Sequence, residues 1–316
     1  MSGSEPPRTP VVNDLPSVMR TRGWADYGLI DSGNGRKLER YGRFTVVRPE
    51  PQCLWTPALP AQAWEAADAV FDPTDEEDAG RWKLKGQAAL LSNGEPWPLG
   101  WGNVKFNGRF TSFRHLAFFP EQAANWEWLD AAVRGAADRG QPRVLNLFGY
   151  TGVASLVMAA AGAAVTHVDA SKRAVAWARE NAALSGLAER PIRWITEDAR
   201  KYVQREVRRG SKYEGIILDP PKYGRGPDGE VWRLFEDLPE LAGLCAELLS
   251  ENAKFLVLNA YAERISGAAL SGLLADKLKG RSGAIEWGEL ALVQEDGARE
   301  IGMSFFARWQ ASGAQS

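Results

Sequence analysis

The stretch Arg143-Val-Leu-Asn-Leu-Phe-Gly-Tyr-Thr-Gly-Val-Ala-Ser-Leu-Val-Met-Ala-Ala-Ala-Gly162 decides the fold. Its first part, RVLNLF (143–148), is a short apolar run closed by a glycine-bearing turn, the mark of a buried strand. The second part, GVASLVMAAAG (152–162), has the apolar spacing of a helix. The same alternation continues downstream. AVTHVDA (164–170) precedes SKRAVAWARENAALSG, with Ser171 suited to the N-cap and Gly186 to the helix stop. IRWIT (192–196) precedes DARKYVQREVRRG, and YEGIILD (213–219) precedes a loop and the helix VWRLFEDLPELAGLCAELLS. KFLVLNA (254–260) precedes AERISGAALSGLLADKLKG, and two strand-like runs, IEWGELALVQ and EIGMSFFARW, close the series. Upstream, Pro120-Glu121-Gln122 introduces the helical run ANWEWLDAAVRGA. Strands alternating with helices predict a doubly wound parallel sheet, which takes its ligands at the carboxyl ends of the strands.

The remainder of the 316 residues reads as a second domain. Residues 1–19 form a polar, proline-rich, loose tail. Residues 20–115 form a small β-rich domain, with near-alternating LERYGRFTVVR and RWKLKGQAALL and turn signals at Ser32-Gly33-Asn34-Gly35 and Ser92-Asn93-Gly94. Between these runs, AQAWEAADAVF predicts a short helix and DPTDEEDAG a loop; residues 116–316 carry the β/α alternation. A hydrophobic content of 45% with 25% charged residues excludes a disordered or collagen-like chain. No apolar run is long enough for a transmembrane helix, and the N-terminus lacks a secretory core, so the expected location is cytoplasmic, with no membrane partner. Two cysteines (Cys53, Cys245) and two histidines (His115, His167) do not make a disulfide framework or a Cys/His metal site, so no metal is expected.

The net charge of −2 conceals a pattern. Residues 20–48 carry seven Lys/Arg against three Asp/Glu, residues 49–80 eight acids and no base, residues 81–114 six bases against one acid. The basic stretches alternate with Trp24, Tyr27, Tyr41, Phe44, Trp82, Trp97, Trp101, Phe106 and Phe110. Bases for phosphates beside aromatics for stacking suit nucleic acid; an aromatic core under solvated charges would leave the same pattern.

The unusual residues fall at strand ends. After the first strand come Asn146, Phe148, Gly149, Tyr150, Thr151 and Gly152, where the glycines suit a tight turn at a helix N-terminus, with or without a ligand. The second strand ends at Asp169, followed by Ala170 and Ser171; the acid suits either a ribose diol or a cap. The third ends at Asp198-Ala199, facing an adenine amino group or capping the next helix. The fourth ends in Asp219, Pro220, Pro221, Lys222 and Tyr223. Two prolines after a buried strand make a stiff loop whose carbonyls and carboxylate can grip the polar edge of an acceptor, with Tyr223 as a stacking face.

From about residue 115 to 309 this order of strand ends resembles class I S-adenosylmethionine-dependent methyltransferases. VLNLFGYTG with ILDPPKYGRG is similar to the bacterial ribosomal-RNA large-subunit base methyltransferases. The resemblance implies an α/β fold: a seven-stranded, doubly wound, Rossmann-like methyltransferase sheet preceded by the small β-rich domain, which would bind RNA. It implies S-adenosyl-L-methionine as cofactor and ribosomal RNA as partner. The Phe148–Gly152 turn would hold the methionine part, Asp169 the ribose and Asp198 the adenine, with Asp219 to Tyr223 lining the acceptor pocket and Asp219 also counted among the cofactor residues. Phe119-Pro120-Glu121-Gln122 falls where relatives carry a Leu-Asp-Gln run over the cofactor, which makes Gln122 a cofactor residue.

Methyl transfer is an in-line displacement that rests on alignment. Methylation at cytosine carbon 5 needs a thiolate that adds to the ring, and relatives with that activity carry it after the fourth or fifth strand. Here those strands end in DPPKY and Asn259-Ala260-Tyr261, and Cys245 lies in the apolar run LAGLCAELL. A base nitrogen, with its own lone pair, is the expected acceptor. Asn259 suits either such a base or a strand-end cap. The two histidines, the basic run from Arg200 to Gly210 and most of the 13 tryptophans read as structural or solvated. Rival readings are a small-molecule or protein methyltransferase, a nicotinamide-dependent oxidoreductase (disfavoured by the missing GxGxxG) and a catalytically silent RNA-binding protein. The sequence leaves the oligomeric state open.

Overall fold

The structure is a computed structural model and describes residues 9–74, 79–91, 94–136, 140–261 and 264–312. The first eight tail residues, the acidic run 75–78, the Ser92-Asn93 turn and the Ala262-Glu263 helix start lie outside the described residues. The chain divides into two compact units. One takes in the residues up to Met19, Asn125–Leu290 and those from Ser304 on; the other takes in Arg20–Ala124 and Ala291–Met303. The division falls at 124/125 where 115/116 was expected, and a late segment returns to the β-rich unit.

In chain order the elements begin with β1 (Val11–Val12) and β2 (Ser17–Thr21). The β-rich unit follows with β3 (Tyr27–Gly33), β4 (Arg36–Tyr41), β5 (Phe44–Pro49), α1 (Ala61–Glu65), β6 (Ala69–Pro73), β7 (Gly80–Leu84), α2 (Gly86–Ala89), β8 (Trp97–Trp101) and β9 (Val104–Gly108). Strands β3 to β7 form one five-stranded sheet in sequence order; β8 and β9 form a separate ribbon. The Asn34-Gly35 pair, both at positive φ, closes the β3–β4 hairpin, as the turn signal predicts. Two expectations change. AQAWEAADAVF is helical only through Glu65, because Ala69–Pro73 pairs with β5 and β7. RWKLKGQAALL is a strand only to Leu84, where Gly86 (φ 52°) turns the chain into α2.

The aromatics of this unit are mostly interior, while most of its Lys and Arg side chains are exposed. Tyr27, Tyr41, Phe44, Trp97, Phe106 and Phe110 are buried, and Trp24, Trp82 and Trp101 half-buried. Arg48 and Lys37 are buried too: Arg48 Nε donates to Glu39 Oε2 at 2.7 Å, and Lys37 Nζ lies 3.4 Å from Glu50 Oε2. Buried charges need such partners, and burial withdraws these groups from any surface.

The other unit begins its main run with α3 (Ala123–Arg134), then β10 (Arg143–Leu147), α4 (Val153–Ala160), β11 (Ala164–Asp169), α5 (Lys172–Leu184), β12 (Ile192–Thr196) and α6 (Ala199–Arg208). There follow β13 (Gly215–Leu218), β14 (Tyr223–Arg225), β15 (Val231–Arg233), α7 (Leu234–Leu248), β16 (Phe255–Ala260), α8 (Gly267–Lys277), β17 (Ala284–Val293) and β18 (Glu300–Gln310). The sheet runs β1-β17-β18-β16-β13-β10-β11-β12, with β2 also on β17. Strands β12, β11, β10, β13 and β16 are parallel; β18 is antiparallel to β16, so the sheet is mixed. Among the described residues it has nine strands where seven were expected. The two extra strands come from the stretch expected as a loose tail. Val11 N donates to Gly283 O and Asn13 N to Ile285 O, each at 2.9 Å, and so satisfy backbone groups that β17 would otherwise leave open at an edge. Strands β10, β11, β13 and β16 are buried on both faces, which explains their near-continuous apolar runs, while β12 at the edge is only half-buried. Among the described residues no helix is long and apolar enough to cross a membrane.

Candidate cofactor and acceptor site

The turn after β10 is backbone strain held in place. Phe148 (φ 57°), Tyr150 (φ 47°) and Gly152 (φ 82°) are left-handed within five residues. Non-glycine residues in that region cost on the order of 1 kcal/mol or more each and cluster at functional turns. The strain is locked by Gly149 N to Val168 O at 3.0 Å, Gly152 N to Gly149 O at 2.9 Å, and Tyr150 N to Asp169 Oδ2 at 2.8 Å. Gly149 itself is not at positive φ. A Cβ there would lie 2.5 Å from Cε1 and Nδ1 of His167. The glycine is needed for the protein's own packing beneath the turn.

His167 is fully buried, and burial pushes its pKa down to about 3, so the ring is neutral. Its Nδ1 lies 3.0 Å from Ser155 Oγ, which accepts from Asn146 Nδ2 at 2.8 Å. Asn146, expected among the cofactor residues, is 2% exposed and lies in this chain of polar groups. Thr151 is buried, and its carbonyl accepts from Asn181 Nδ2 at 2.9 Å.

Asp169, at the end of β11, is bonded from both sides: Oδ2 accepts Tyr150 N and Oδ1 accepts Ser171 N, each at 2.8 Å. Burial pushes its carboxyl above the ordinary range, and the two amides oppose that shift. A carboxylate offers about four acceptor sites. With two taken by the turn, the remainder suit a vicinal diol, so the donor and acceptor set fits an adenosine cofactor. Ser171 caps α5 by accepting Ala174 N at 3.2 Å, with Ala170 between it and Asp169. Asp198 is buried and caps α6 by accepting Lys201 N at 3.0 Å; Ala199, the first helical residue, is buried behind it. Gln122 lies in the β-rich unit, in the short 3-10 turn Pro120–Gln122, where its amide donates to Phe119 O at 3.1 Å.

The loop expected to line the acceptor pocket leaves β13 at half-buried Asp219. Pro220 is buried, Pro221 and Lys222 are exposed, and Tyr223 is 50% exposed. The loop continues into the β14–β15 hairpin. Trp232, 4% exposed, donates from Nε1 to Pro221 O at 2.7 Å and packs its ring 4.9 Å from that of Phe148. One side chain thus touches both the acceptor loop and the strained turn. Trp232 and Ser155 escaped the sequence reading. The hairpin carries a signal, Asp228-Gly229 between YGR and VWR, and Val231–Arg233, expected as the start of a helix, is a strand because it pairs with Tyr223–Arg225. Asn259 is 2% exposed and accepts from Asn125 Nδ2 at 3.0 Å. Cys245 is fully buried in α7, and burial pushes its thiol well up; Cys53, buried in the other unit, is pushed up to about 11. Among the described residues no group of three or more His, Cys, Asp or Glu is placed to hold a metal.

No protein-family model matches the chain. Among curated proteins it is 37% identical over 118 residues to the ribosomal RNA large subunit methyltransferase K/L of Shewanella frigidimarina, covering 37% of this chain and 16% of that one. To the Shewanella oneidensis protein of the same name it is 35% identical over 127 residues, covering 40% and 17%. The chain therefore spans less than a fifth of the length of the curated relatives it matches. Among solved structures, a methyltransferase from Streptococcus mutans shares 17% identity over 91% of this chain and 75% of that one, with a TM-score of 0.69, a likeness of fold alone. A SAM-dependent methyltransferase from Agrobacterium tumefaciens superimposes with a TM-score of 0.90, at 50% identity over 97% of this chain and 96% of that one. The likeness spans both units, and the chain belongs to the S-adenosylmethionine-dependent methyltransferases.

Proposed function

We propose that this methyltransferase acts on a base nitrogen of ribosomal RNA. The observation that carries this reading is the acceptor loop. A half-buried carboxylate, Asp219, is followed by two prolines and an exposed tyrosine at the end of a buried strand, while both cysteines are buried away from solvent. Without an accessible thiolate the ring carbon has no activating nucleophile; a nitrogen lone pair needs none. The matched Shewanella proteins, named for the large ribosomal subunit, supply the substrate class.

In this reading S-adenosylmethionine supplies an electrophilic methyl group, and the chain supplies alignment. The Phe148–Gly152 turn holds the methionine part through backbone groups. Asp169 accepts from the ribose hydroxyls, with Ala170 and Ser171 flanking it, and Asp198 with Ala199 bounds the adenine. At the acceptor, Asp219 and the backbone of Pro220 and Pro221 grip the amino or imino edge of the base, and the Asp219 carboxylate would take the proton that the nitrogen loses when the methyl group passes to it from sulfur. Tyr223 stacks on the base and Lys222 meets a phosphate. The β-rich unit serves as substrate domain within a cytoplasmic enzyme, and a seven-strand methyltransferase core lies within the nine-stranded sheet.

The test incubates purified protein with methyl-labelled S-adenosylmethionine and ribosomal RNA from cells lacking this gene, followed by nucleoside mass spectrometry. One new nitrogen-methylated base is expected. 5-methylcytosine would refute the thiol reasoning, and unlabelled RNA from protein that still binds cofactor would refute the RNA assignment in favour of a small-molecule or protein acceptor.

A further inference from the structure

The hairpin that follows the acceptor loop has two unlike faces. In its register Tyr223 opposes Arg233, Gly224 opposes Trp232 and Arg225 opposes Val231. Side chains alternate along a strand, so Gly224 and Trp232 share the inward face and Tyr223, Arg225, Val231 and Arg233 the outward one. The inward face is anchored by the Trp232 contacts to Pro221 and Phe148. The base is closed by Leu234 N to Lys222 O at 3.0 Å, and the tip by Gly226 N to Glu230 O at 2.8 Å. The tip acids are neutralised, because Lys201 of α6 pairs with Glu230 and, at 3.6 Å, with Asp228.

What remains outward is a tyrosine and two arginines, all exposed. Arg233 shares an exposed ion pair with Glu236 at 3.3 Å, which solvent makes weak. Arg225 makes no hydrogen bond or ion pair among the described residues. Stacking by an aromatic beside arginine contacts to phosphate is the chemistry of single-stranded nucleic acid recognition. The aromatic residues of the β-rich unit are largely buried, whereas the tyrosine of the hairpin is presented beside two exposed arginines, in direct continuity with the acceptor loop.

We infer that the outward face of the β14–β15 hairpin is an RNA-binding surface. Tyr223 stacks at the acceptor base, and Arg225 and Arg233 hold the phosphates of the single-stranded segment beside it. This rests on the RNA reading proposed above, and the test separates the two. Filter binding of the same ribosomal RNA is measured at stepped salt concentrations, with S-adenosylhomocysteine affinity and Tm measured in parallel. Replacing both arginines (R225A with R233A) lowers the slope of log affinity against log salt by about 1.4, near 0.7 per phosphate contact on a single strand. Tyr223→Ala weakens RNA binding at least about fivefold, Tyr223→Phe restores it, and neither changes the slope. Arg225→Lys keeps the slope. All variants keep wild-type S-adenosylhomocysteine affinity and Tm. An unchanged slope in the double variant, with wild-type protein binding RNA normally, overturns the hairpin surface alone. Wild-type protein that binds S-adenosylhomocysteine but not RNA overturns the RNA reading, and the surface with it.

Discussion

Gly149→Ala is a sharp test of how the cofactor turn is built. The added methyl would sit 2.5 Å from two atoms of the His167 ring, against an ordinary carbon contact of about 3.5–4.0 Å, an overlap of about 1 Å. The ring has little room to retreat: it is fully buried, tied at 3.0 Å to Ser155 and packed 5.0 Å from the Trp194 ring. The turn must move instead. Overpacking of this kind costs about 1–3 kcal/mol. Displacing the turn also weakens the bond from Tyr150 N to the Asp169 carboxylate, a charge-assisted contact of about 1.5–3 kcal/mol. A total of roughly 2–5 kcal/mol corresponds to a fall in Tm of about 5–15 °C for a unit of this size. A 2 kcal/mol loss of alignment would raise the Kd for S-adenosylhomocysteine about 30-fold. Calorimetry and thermal melts of the single variant, of His167→Ala and of the double variant form a cycle. If the clash is with His167, the double variant loses less than the sum of the singles. Wild-type Tm and Kd in Gly149→Ala, or strict additivity in the cycle, would refute the reasoning.

Other outcomes follow from the same geometry. Asp169→Asn keeps one amide bond and loses a charge-assisted one, so S-adenosylhomocysteine should bind at least about tenfold more weakly by calorimetry; unchanged affinity would remove the ribose role. Because burial raises the Asp169 pKa and a diol is held by the ionised carboxylate, wild-type affinity should fall on acidification at a pH above the ordinary range near 3.8. Asp169→Asn should lose that dependence. Asp219→Ala should abolish methyl transfer while leaving S-adenosylhomocysteine binding within about twofold, since the carboxylate is assigned to the acceptor; full activity would sink the acceptor assignment. His167 stays neutral in the fold down to about pH 3 but takes a proton near 6.5 when unfolded. Stability present above pH 6.5 is therefore lost as pH falls, by about 2 kcal/mol between 6.5 and 5. Urea unfolding of His167→Gln at both pH values should lack that increment, and an identical pH response would contradict it.

The parallel strands β10 to β13 and β16 were legible because each is a short apolar run followed by a helical period. The turn at 148–152, the acid at 169 and the loop at 219–223 were legible because unusual residues gather at the ends of such strands. The β-rich unit was harder to read. Arg48 and Lys37 look like surface charge in sequence but are buried with Glu39 and Glu50, partners that only the sheet brings together. Valines 11 and 12 read as tail because a lone edge strand has no signal beyond the edge it completes.

The sequence by itself determined the alternation of strands and helices, the order of the strand ends and the absence of a cysteine where carbon-5 chemistry would need one. Those properties are written in local periodicity and in residue type, which no partner can alter. Only the tertiary structure decided that Gly149 is required by His167, that Asp169 braces the turn after β10 through two amides, and that Trp232 spans that turn and the loop after β13. It alone decided which aromatic and basic residues are presented to solvent. Apart from the local Ser171 amide on Asp169, each of these brings together groups separated along the chain, where burial and pairing, not composition, set what a side chain can do.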